Sequence, residues 1–165
     1  ASWPAHRDFI EVMTTSYAHF ARLCLPGMLE RGWGRIIQVS SVAGLVPGGP
    51  GHTLYGASKA FLVSFTQSLA AECEGRGVKI SAVCPGFTYT EFHDANQTRA
   101  IVSRLPKFMF MTSEAVVESA LLALERDKTV HVPGLWNKFV VRLARSLPHG
   151  SVKAVARKIR LGPDK

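Results

Sequence analysis

Two side chains one helical turn apart, Tyr55 and Lys59, have the clearest chemical potential in this sequence. The spacing Tyr-x-x-x-Lys places both on one face of a helix. A phenol titrates near pH ~10, so it is a poor acid–base group at neutral pH. A lysine ammonium one turn away, together with the positive end of the helix dipole, favours the phenolate and lowers that pKa. Tyr55 is therefore a candidate general acid–base, although such pairs more often only decorate a helix surface.

A strand, a loop and a helix are predicted to position these residues. Residues 35–39 are apolar and β-branched, which predicts a short buried strand that ends at Ser40 and Ser41. Glycines and prolines then mark a loop. From about Thr53, apolar residues recur at three- and four-residue steps, which predicts a helix that ends near Gly75 or Gly77.

A second strand is predicted over residues 78–84, which are mostly apolar, as in a buried parallel strand. A strand, crossover helix and strand of this length form a βαβ unit, which is nearly always right-handed. Because the carboxyl ends of parallel strands face one crevice, we expect Ser41 and the Pro85-Gly86 turn to share a cleft. The pattern therefore predicts an α/β fold.

Further elements are predicted on either side of this unit. Residues 6–30 carry the apolar stripe of a helix, which Pro26 should break or kink. Thr112 or Ser113 can cap another helix. Residues 129–132 predict a short final strand before a Pro-Gly turn.

Length and composition fit one globular domain. The 165 residues are 47% hydrophobic and 19% charged, which allows a sizeable core. No apolar run reaches the length of a membrane span and no signal-peptide pattern opens the chain, so we expect a cytoplasmic protein. The histidines are scattered without a pair at ligand spacing, so no metal site is predicted.

Three motifs together resemble the short-chain dehydrogenase/reductase family: Gly-Arg-Ile-Ile-Gln-Val-Ser-Ser-Val-Ala-Gly, then Tyr-Gly-Ala-Ser-Lys, then Val-Cys-Pro-Gly-Phe-Thr-Tyr-Thr. They follow the family's order within residues 9–133, with one residue more between Ser41 and Tyr55 than is common. The resemblance implies a Rossmann-type, doubly wound parallel sheet, here a partial one from a three-layer αβα sandwich. It also implies hydride transfer between a nicotinamide cofactor and a carbonyl or alcohol.

The resemblance assigns roles to individual residues. Tyr55 is the acid–base, Lys59 tunes it and anchors the ribose, and Ser41 hydrogen-bonds the substrate oxygen. Ser41 is preferred to Ser40 because the family's serine directly precedes a Val-Ala-Gly-like turn. The residues implied to bind the cofactor are Tyr55, Lys59, Pro85, Gly86, Thr88 and Thr90. For the last four, a plain strand-ending turn is the alternative.

One position departs from the family pattern. The family's asparagine, which supports the catalytic lysine through a water, aligns with Met13, whose thioether cannot donate a hydrogen bond. Either this subgroup organises its proton relay differently, or the alignment of this helix is off by one turn.

The family's dinucleotide-binding motif, Gly-x-x-x-Gly-x-Gly after a first strand, does not occur in the sequence. The nearest match begins at Gly44 and Gly48, but Pro50 replaces the next glycine. The cofactor is therefore NAD or NADP, with no basis for choosing between them. We expect the family's N-terminal βαβ units to be missing from these residues, and the 165 residues alone to be catalytically inactive.

The last thirty residues are strongly basic. From Trp136 onward, eight Lys or Arg stand against one Asp, which is nearly all of the net charge of +8. We therefore divide the chain into a catalytic portion, residues 1–134, and a basic amphipathic helical extension, residues 135–165. The predicted apolar stripe of the extension is Trp136, Phe139, Val140, Leu143, Ala144 and Leu147. Residues 136–160 either contact an anionic membrane surface or pack on the domain with their basic face in solvent. No nucleic-acid partner is expected, because no base-reading motif accompanies the charge.

Aromatic residues and methionines are frequent over residues 90–111, where the family has its substrate lid. A lid predicts a small apolar carbonyl or alcohol substrate, and ordinary packing against the sheet is the alternative. By resemblance, the helices at residues 6–30 and 53–74 form a dimer interface, so a homo-oligomer is expected. The alternative to an oxidoreductase is a non-catalytic, truncated remnant of the family that acts as an interaction or membrane-surface module.

Overall fold

The computed structural model describes residues 2–48, 53–89 and 106–147. Strands and helices alternate through most of this part of the chain. In order, the elements are α1 (Trp3–Ile10), a π-helical segment (Glu11–Thr15), α2 (Ser16–Glu30), β1 (Gly34–Val39), a 3-10 helix (Val42–Gly44), α3 (Thr53–Glu72), β2 (Val78–Val83), β3 (Phe87–Tyr89), a further 3-10 helix (Lys107–Met109), β4 (Phe110–Thr112), α4 (Ser113–Glu125), β5 (Val130–His131) and α5 (Leu135–Ser146).

A parallel sheet with strand order β1-β2-β5 forms the centre of the described residues. β1 and β2 pair from Gly34 opposite Val78 to Val39 opposite Val83, and α3 connects them. This confirms the predicted α/β fold and its βαβ unit. The strand bounds agree with the prediction within one residue at each end, because both strands are short apolar runs between clear turn signals.

Helices cover both faces of this sheet, which makes three layers. On one face, Val78 and Ile80 of β2 pack with Cys73, and apolar residues of α2 and α3 surround them. On the other face, Val83 packs with Val116 and Ala120 of α4. Alternate residues of β2 therefore enter two different cores, as is typical of a doubly wound sheet.

The first helical region differs from the prediction. It begins at Trp3 rather than at His6, and a π-helical segment separates α1 from α2. Pro26 lies inside α2, which continues to Glu30 as predicted, so of the two predicted effects of this proline a break does not occur. α2 packs on the sheet on both sides of the proline, through Leu25, Met28 and Leu29. Burial of these side chains holds the chain helical past the residue that cannot donate a backbone hydrogen bond.

α5 packs on the domain through a narrow face. Asn137 and Val141, one turn apart, are buried, and Val141 joins Leu45, Val63 and Cys84 in one apolar cluster. The buried pair lies outside the predicted stripe, whose residues Trp136, Phe139, Leu143 and Leu147 are exposed. Among the described residues, no helix has the length and apolar character needed to cross a bilayer.

β3 and β4 form a separate parallel pair beside the main sheet. The Tyr89 ring stacks on the Phe110 ring at a centroid distance of 4.8 Å. Of the two predicted caps for α4, Thr112 is the N-cap, and its hydroxyl accepts a hydrogen bond from the Ala115 amide. Residues 90–105, which include Thr90 and most of the predicted lid, lie outside the described residues.

The first 3-10 helix contacts α3 closely at Gly44. A Cβ added to Gly44 would lie 2.5 Å from the Lys59 carbonyl carbon and 2.7 Å from the Ala60 nitrogen. Since both are backbone atoms, the contact leaves no flexible group to move aside. Gly44 therefore sets the distance between the end of β1 and the helix that carries Tyr55.

We expect Gly44→Ala to lower the free energy of unfolding by about 1–3 kcal/mol, because the added methyl group forces two backbone segments apart. Urea denaturation measures this loss. The matched control is Gly56→Ala in α3, whose Cβ would lie an ordinary 3.5 Å from the Ala43 carbonyl oxygen. It should leave stability unchanged or raise it by up to about 1 kcal/mol. Equal free energies of unfolding for the two variants would contradict the role given to Gly44.

Candidate active site

Two adjacent serines, Ser40 and Ser41, directly follow strand β1 at the carboxyl edge of the sheet. Their surroundings differ. The buried Ser40 hydroxyl donates to the backbone carbonyl of Lys59 at 2.8 Å and so ties β1 to α3. Ser41 caps the first 3-10 helix, where its hydroxyl accepts from the Ala43 amide at 3.1 Å. The Ser41 side chain also shares a hydrogen bond with the Tyr55 phenol. Ser41, and not Ser40, therefore faces the tyrosine.

Lys59 is only 5% exposed. Its Nζ donates to the Val39 carbonyl oxygen at 2.9 Å and lies 5.7 Å from the centroid of the Tyr55 ring. The four-residue spacing on α3 thus brings the two side chains together as predicted. Burial lowers the pKa of Lys59, because the ammonium loses its water.

The pKa of Tyr55 is raised above its usual range rather than lowered, which corrects the prediction made from the spacing. Burial is the largest cause, since it removes water from the phenolate, and Tyr17 adds to the rise. The hydrogen bond with Ser41 acts in the opposite direction. Burial and Tyr17 together outweigh the Ser41 hydrogen bond, so the net shift of this pKa is upward. Tyr55 is therefore a protonated phenol at neutral pH.

Sequence reasoning missed Tyr17, which lies near the start of α2. The Lys59 Nζ is 5.6 Å from the centroid of its ring, so two aromatic rings contact the ammonium. The sequence feature that could have indicated Tyr17 is its position one helical turn after Met13. Met13 itself lies in the π-helical segment, a rare geometry that is frequent near functional sites. Neither alternative for the family's asparagine is decided by this placement.

The turn after β2 lies beside Ser41, as predicted for a shared cleft. The Pro85 carbonyl oxygen accepts from the Val42 amide at 2.9 Å and lies 3.5 Å from the Ser41 Oγ. The side chain of Asn137, which sequence reasoning also missed, lies against Gly86. Its signal was an uncharged polar residue three positions after Gly134, in the first turn of the helix that follows the Pro-Gly turn.

The polar groups at this edge fit the nicotinamide end of a dinucleotide by chemical type. Ser41, Tyr55 and Lys59 offer two hydroxyls and an ammonium. The Thr88 hydroxyl lies two residues past the turn, where it donates to the Gly86 carbonyl at 3.3 Å. Thr90 lies outside the described residues. Burial raises the pKa of the neighbouring Cys84 thiol to about 11, so it is not a thiolate nucleophile. In the described ranges, no three His, Cys, Asp or Glu side chains are grouped closely enough to hold a metal ion.

Sequence comparison agrees with this geometry. Residues 3–100 match the short chain dehydrogenase family. An uncharacterized oxidoreductase of Myxococcus xanthus (strain DK1622) is 35% identical over 159 residues, a match that covers 96% of this chain and 59% of that protein. The chain thus spans about three fifths of the length of this relative.

Solved structures give the same result. A 7beta-hydroxysteroid dehydrogenase has a TM-score of 0.78 and 25% identity, over 96% of this chain and 60% of that one. A short-chain dehydrogenase from Sphingobium yanoikuyae, in complex with NADPH, has a TM-score of 0.71 and 27% identity, over 90% of this chain and 59% of that one. The partial Rossmann-type sheet, the order of the motifs and the family match agree, and the chain belongs to the short-chain dehydrogenase family.

Proposed function

We propose that this chain carries the catalytic side chains of an NAD(P)-dependent oxidoreductase acting on an apolar carbonyl or alcohol. One observation carries the proposal: Tyr55 shares a hydrogen bond with Ser41 and lies beside the buried Lys59 ammonium, at the carboxyl edge of a parallel sheet. NADPH in the Sphingobium relative supports the cofactor class, and NAD and NADP both remain open. Because the chain spans three fifths of its relatives' length, the activity is proposed for the whole protein.

The state of Tyr55 suits the reduction direction. A bound, reduced nicotinamide would supply the hydride to the carbonyl carbon. Tyr55 holds its proton on the phenol oxygen, because burial raises its pKa, and donates that proton to the substrate oxygen as negative charge develops there. The Ser41 hydroxyl can hydrogen-bond the same oxygen and orient it toward the phenol.

Lys59 acts on the tyrosine after the proton has left. Donation by Tyr55 leaves a phenolate in a buried site, where an unpaired negative charge is unfavourable. The Lys59 ammonium, 5.7 Å from the ring centroid, is the cation placed to stabilise it. Its hydrogen bond to the Val39 carbonyl holds it in this position.

An apolar substrate is proposed from the surface beside the site. The exposed Phe108 ring meets the Trp136 ring edge-on, with centroids 5.2 Å apart. Exposed aromatic rings of this kind suit contact with apolar molecules. The 7beta-hydroxysteroid dehydrogenase, which is similar in fold, is named for a large and mostly apolar alcohol.

Membrane-surface contact through residues 136–160 stays a prediction. Within the described part of that range, Trp136 and Phe139 are exposed beside Lys138 and Arg142, a combination that suits an anionic lipid surface. Residues 148–160 lie outside the described residues. A cytoplasmic location likewise stays a prediction.

The proposal is tested by assaying the whole protein that carries these residues against apolar ketones and aldehydes with NADH and NADPH. We expect saturable oxidation of one cofactor, and Tyr55→Phe should lower turnover by about 10²–10⁴-fold because it removes the proton donor. Tyr89→Phe, which alters an exposed phenol on β3, is the matched control. Wild-type turnover in Tyr55→Phe would show the role to be wrong. For the 165 residues alone we still expect no turnover.

Lys59→Met tests the stabilisation of the phenolate. Removal of the ammonium leaves the phenolate without its cation, so the pKa of Tyr55 should rise further. Since reduction needs the protonated phenol, the alkaline limb of the pH–rate profile should move to higher pH. In the oxidation direction, which needs the phenolate, activity at neutral pH should fall. Lys79→Met, at the opposite edge of the sheet, controls for the loss of a lysine, and an unchanged profile in Lys59→Met would refute the role.

Self-association is proposed through the faces of α2 and α3. Phe20 and Leu23 on α2 are 67% and 64% exposed, and Phe61 on α3 is 41% exposed. Apolar surface of this kind favours a partner copy. We expect sedimentation velocity at micromolar concentration to show an oligomer that Leu23→Asp weakens. Leu121→Asp, on the exposed side of α4, should leave it intact, and a compact wild-type monomer would contradict the proposal.

A further inference from the structure

We infer that Asn137 on α5 is a positioning residue for the Pro85-Gly86 turn, an inference that rests on the proposed function. The residue lies in the first turn of α5 and is only 6% exposed. Burying a carboxamide is costly unless its polar atoms find partners. The contacts that it makes therefore indicate what it does in this fold.

One contact fixes the orientation of the carboxamide. The Asn137 Nδ2 donates to the backbone carbonyl of Pro133 at 2.8 Å, in a buried position. Pro133 follows β5 directly, so this bond ties the side chain to the end of that strand. A second, weaker contact joins Nδ2 to the Met111 Sδ of β4 at 3.9 Å. These contacts with two neighbouring segments hold the side chain in this orientation.

The carboxamide lies next to Gly86, on the side where a Cβ would project. A Cβ added to Gly86 would lie 2.2 Å from Oδ1, 2.7 Å from Cγ and 2.9 Å from Nδ2 of Asn137. All three carboxamide heavy atoms therefore occupy the space that a side chain at position 86 would need. Only glycine fits at position 86 while Asn137 is in place, and the asparagine in turn limits where this glycine can move.

The contact between Asn137 and Gly86 is linked to the proposed catalytic residues through the carbonyl group of Pro85. Pro85, the neighbour of Gly86, presents its carbonyl oxygen to the Val42 amide at 2.9 Å, and to the Ser41 Oγ at 3.5 Å. A shift of the turn therefore displaces the partner of Ser41, which itself hydrogen-bonds Tyr55. Misplacement by about 1 Å away from the chemistry can cost a factor of about 10² in rate. This places α5 among the elements that shape the site.

The test is a double-mutant cycle in the whole protein with Asn137→Ala, Gly86→Ala and the combined variant. Asn137→Ala removes Oδ1, Cγ and Nδ2 and so makes room for a methyl group at position 86. We expect each single substitution to lower kcat/KM, measured with varied cofactor, by about tenfold to a hundredfold. The combined variant should be more active and more stable than Gly86→Ala alone. Gly48→Ala, with open space around its Cβ, and Lys138→Ala, on the exposed side of α5, are the matched controls.

Three outcomes would overturn the inference. The first is that the effects of the two substitutions add, both in the free energy of unfolding and in the logarithm of kcat/KM. The second is an Asn137→Ala protein with lower stability but unchanged KM and kcat, which is a purely structural role. The third applies if Gly86→Ala is insoluble: the combined variant is then insoluble as well. Recovery of soluble protein in the combined variant would instead support the contact. The free energies of unfolding in this double-mutant cycle, measured by urea denaturation, do not depend on activity. A wild-type protein without turnover would therefore defeat the proposed function, while non-additive unfolding free energies would still support the contact between Asn137 and Gly86.

Discussion

The arrangement of the site depends on one backbone contact, the close packing of the segment after β1 on the middle of α3. Gly44 lies directly against the peptide that joins Lys59 to Ala60. Beside it, the Ser40 hydroxyl bonds the carbonyl of Lys59, and the Lys59 ammonium bonds the carbonyl of Val39. The same short stretch of α3 is thus fixed from two directions. Tyr55, one turn earlier, is placed opposite Ser41 as a consequence.

Close packing also sets the electrostatics of the site. The fold that brings Tyr55 and Lys59 together removes both from water, and desolvation disfavours the charged form of each group. Burial therefore raises the pKa of the Tyr55 phenol and lowers the pKa of the Lys59 ammonium. A protonated phenol beside an ammonium suits proton donation to a developing alkoxide.

The proposed catalytic edge is built from more of the chain than the βαβ unit that carries the motifs. β5 adds a strand to the sheet, and the turn after it carries Asn137 to the Pro85-Gly86 peptide. Val141, one turn further along α5, enters the same apolar cluster as Leu45 and Cys84. The basic C-terminal region, at least as far as residue 147, is therefore packed on the domain through these residues, while several of its aromatic side chains stay exposed.

The sequence alone determined the features that depend on local pattern. Apolar periodicity and turn residues were enough to place β1, α3 and β2, and the four-residue spacing was enough to put Tyr55 and Lys59 on one helix face. The tertiary structure decided what depends on contacts between distant segments. Ser40 and Ser41 are chemically identical neighbours. The family resemblance favoured Ser41, but only packing against α3 shows that Ser40 is buried and bonded to the helix backbone while Ser41 faces Tyr55. Likewise, the pKa of Tyr55 depends on how much water the whole fold removes from the phenol, which the spacing between Tyr55 and Lys59 does not reveal. Pro26 remains helical because the sheet buries its neighbours. Asn137 contacts Gly86, about fifty residues earlier in the chain, because β5 and α5 pack beside the turn.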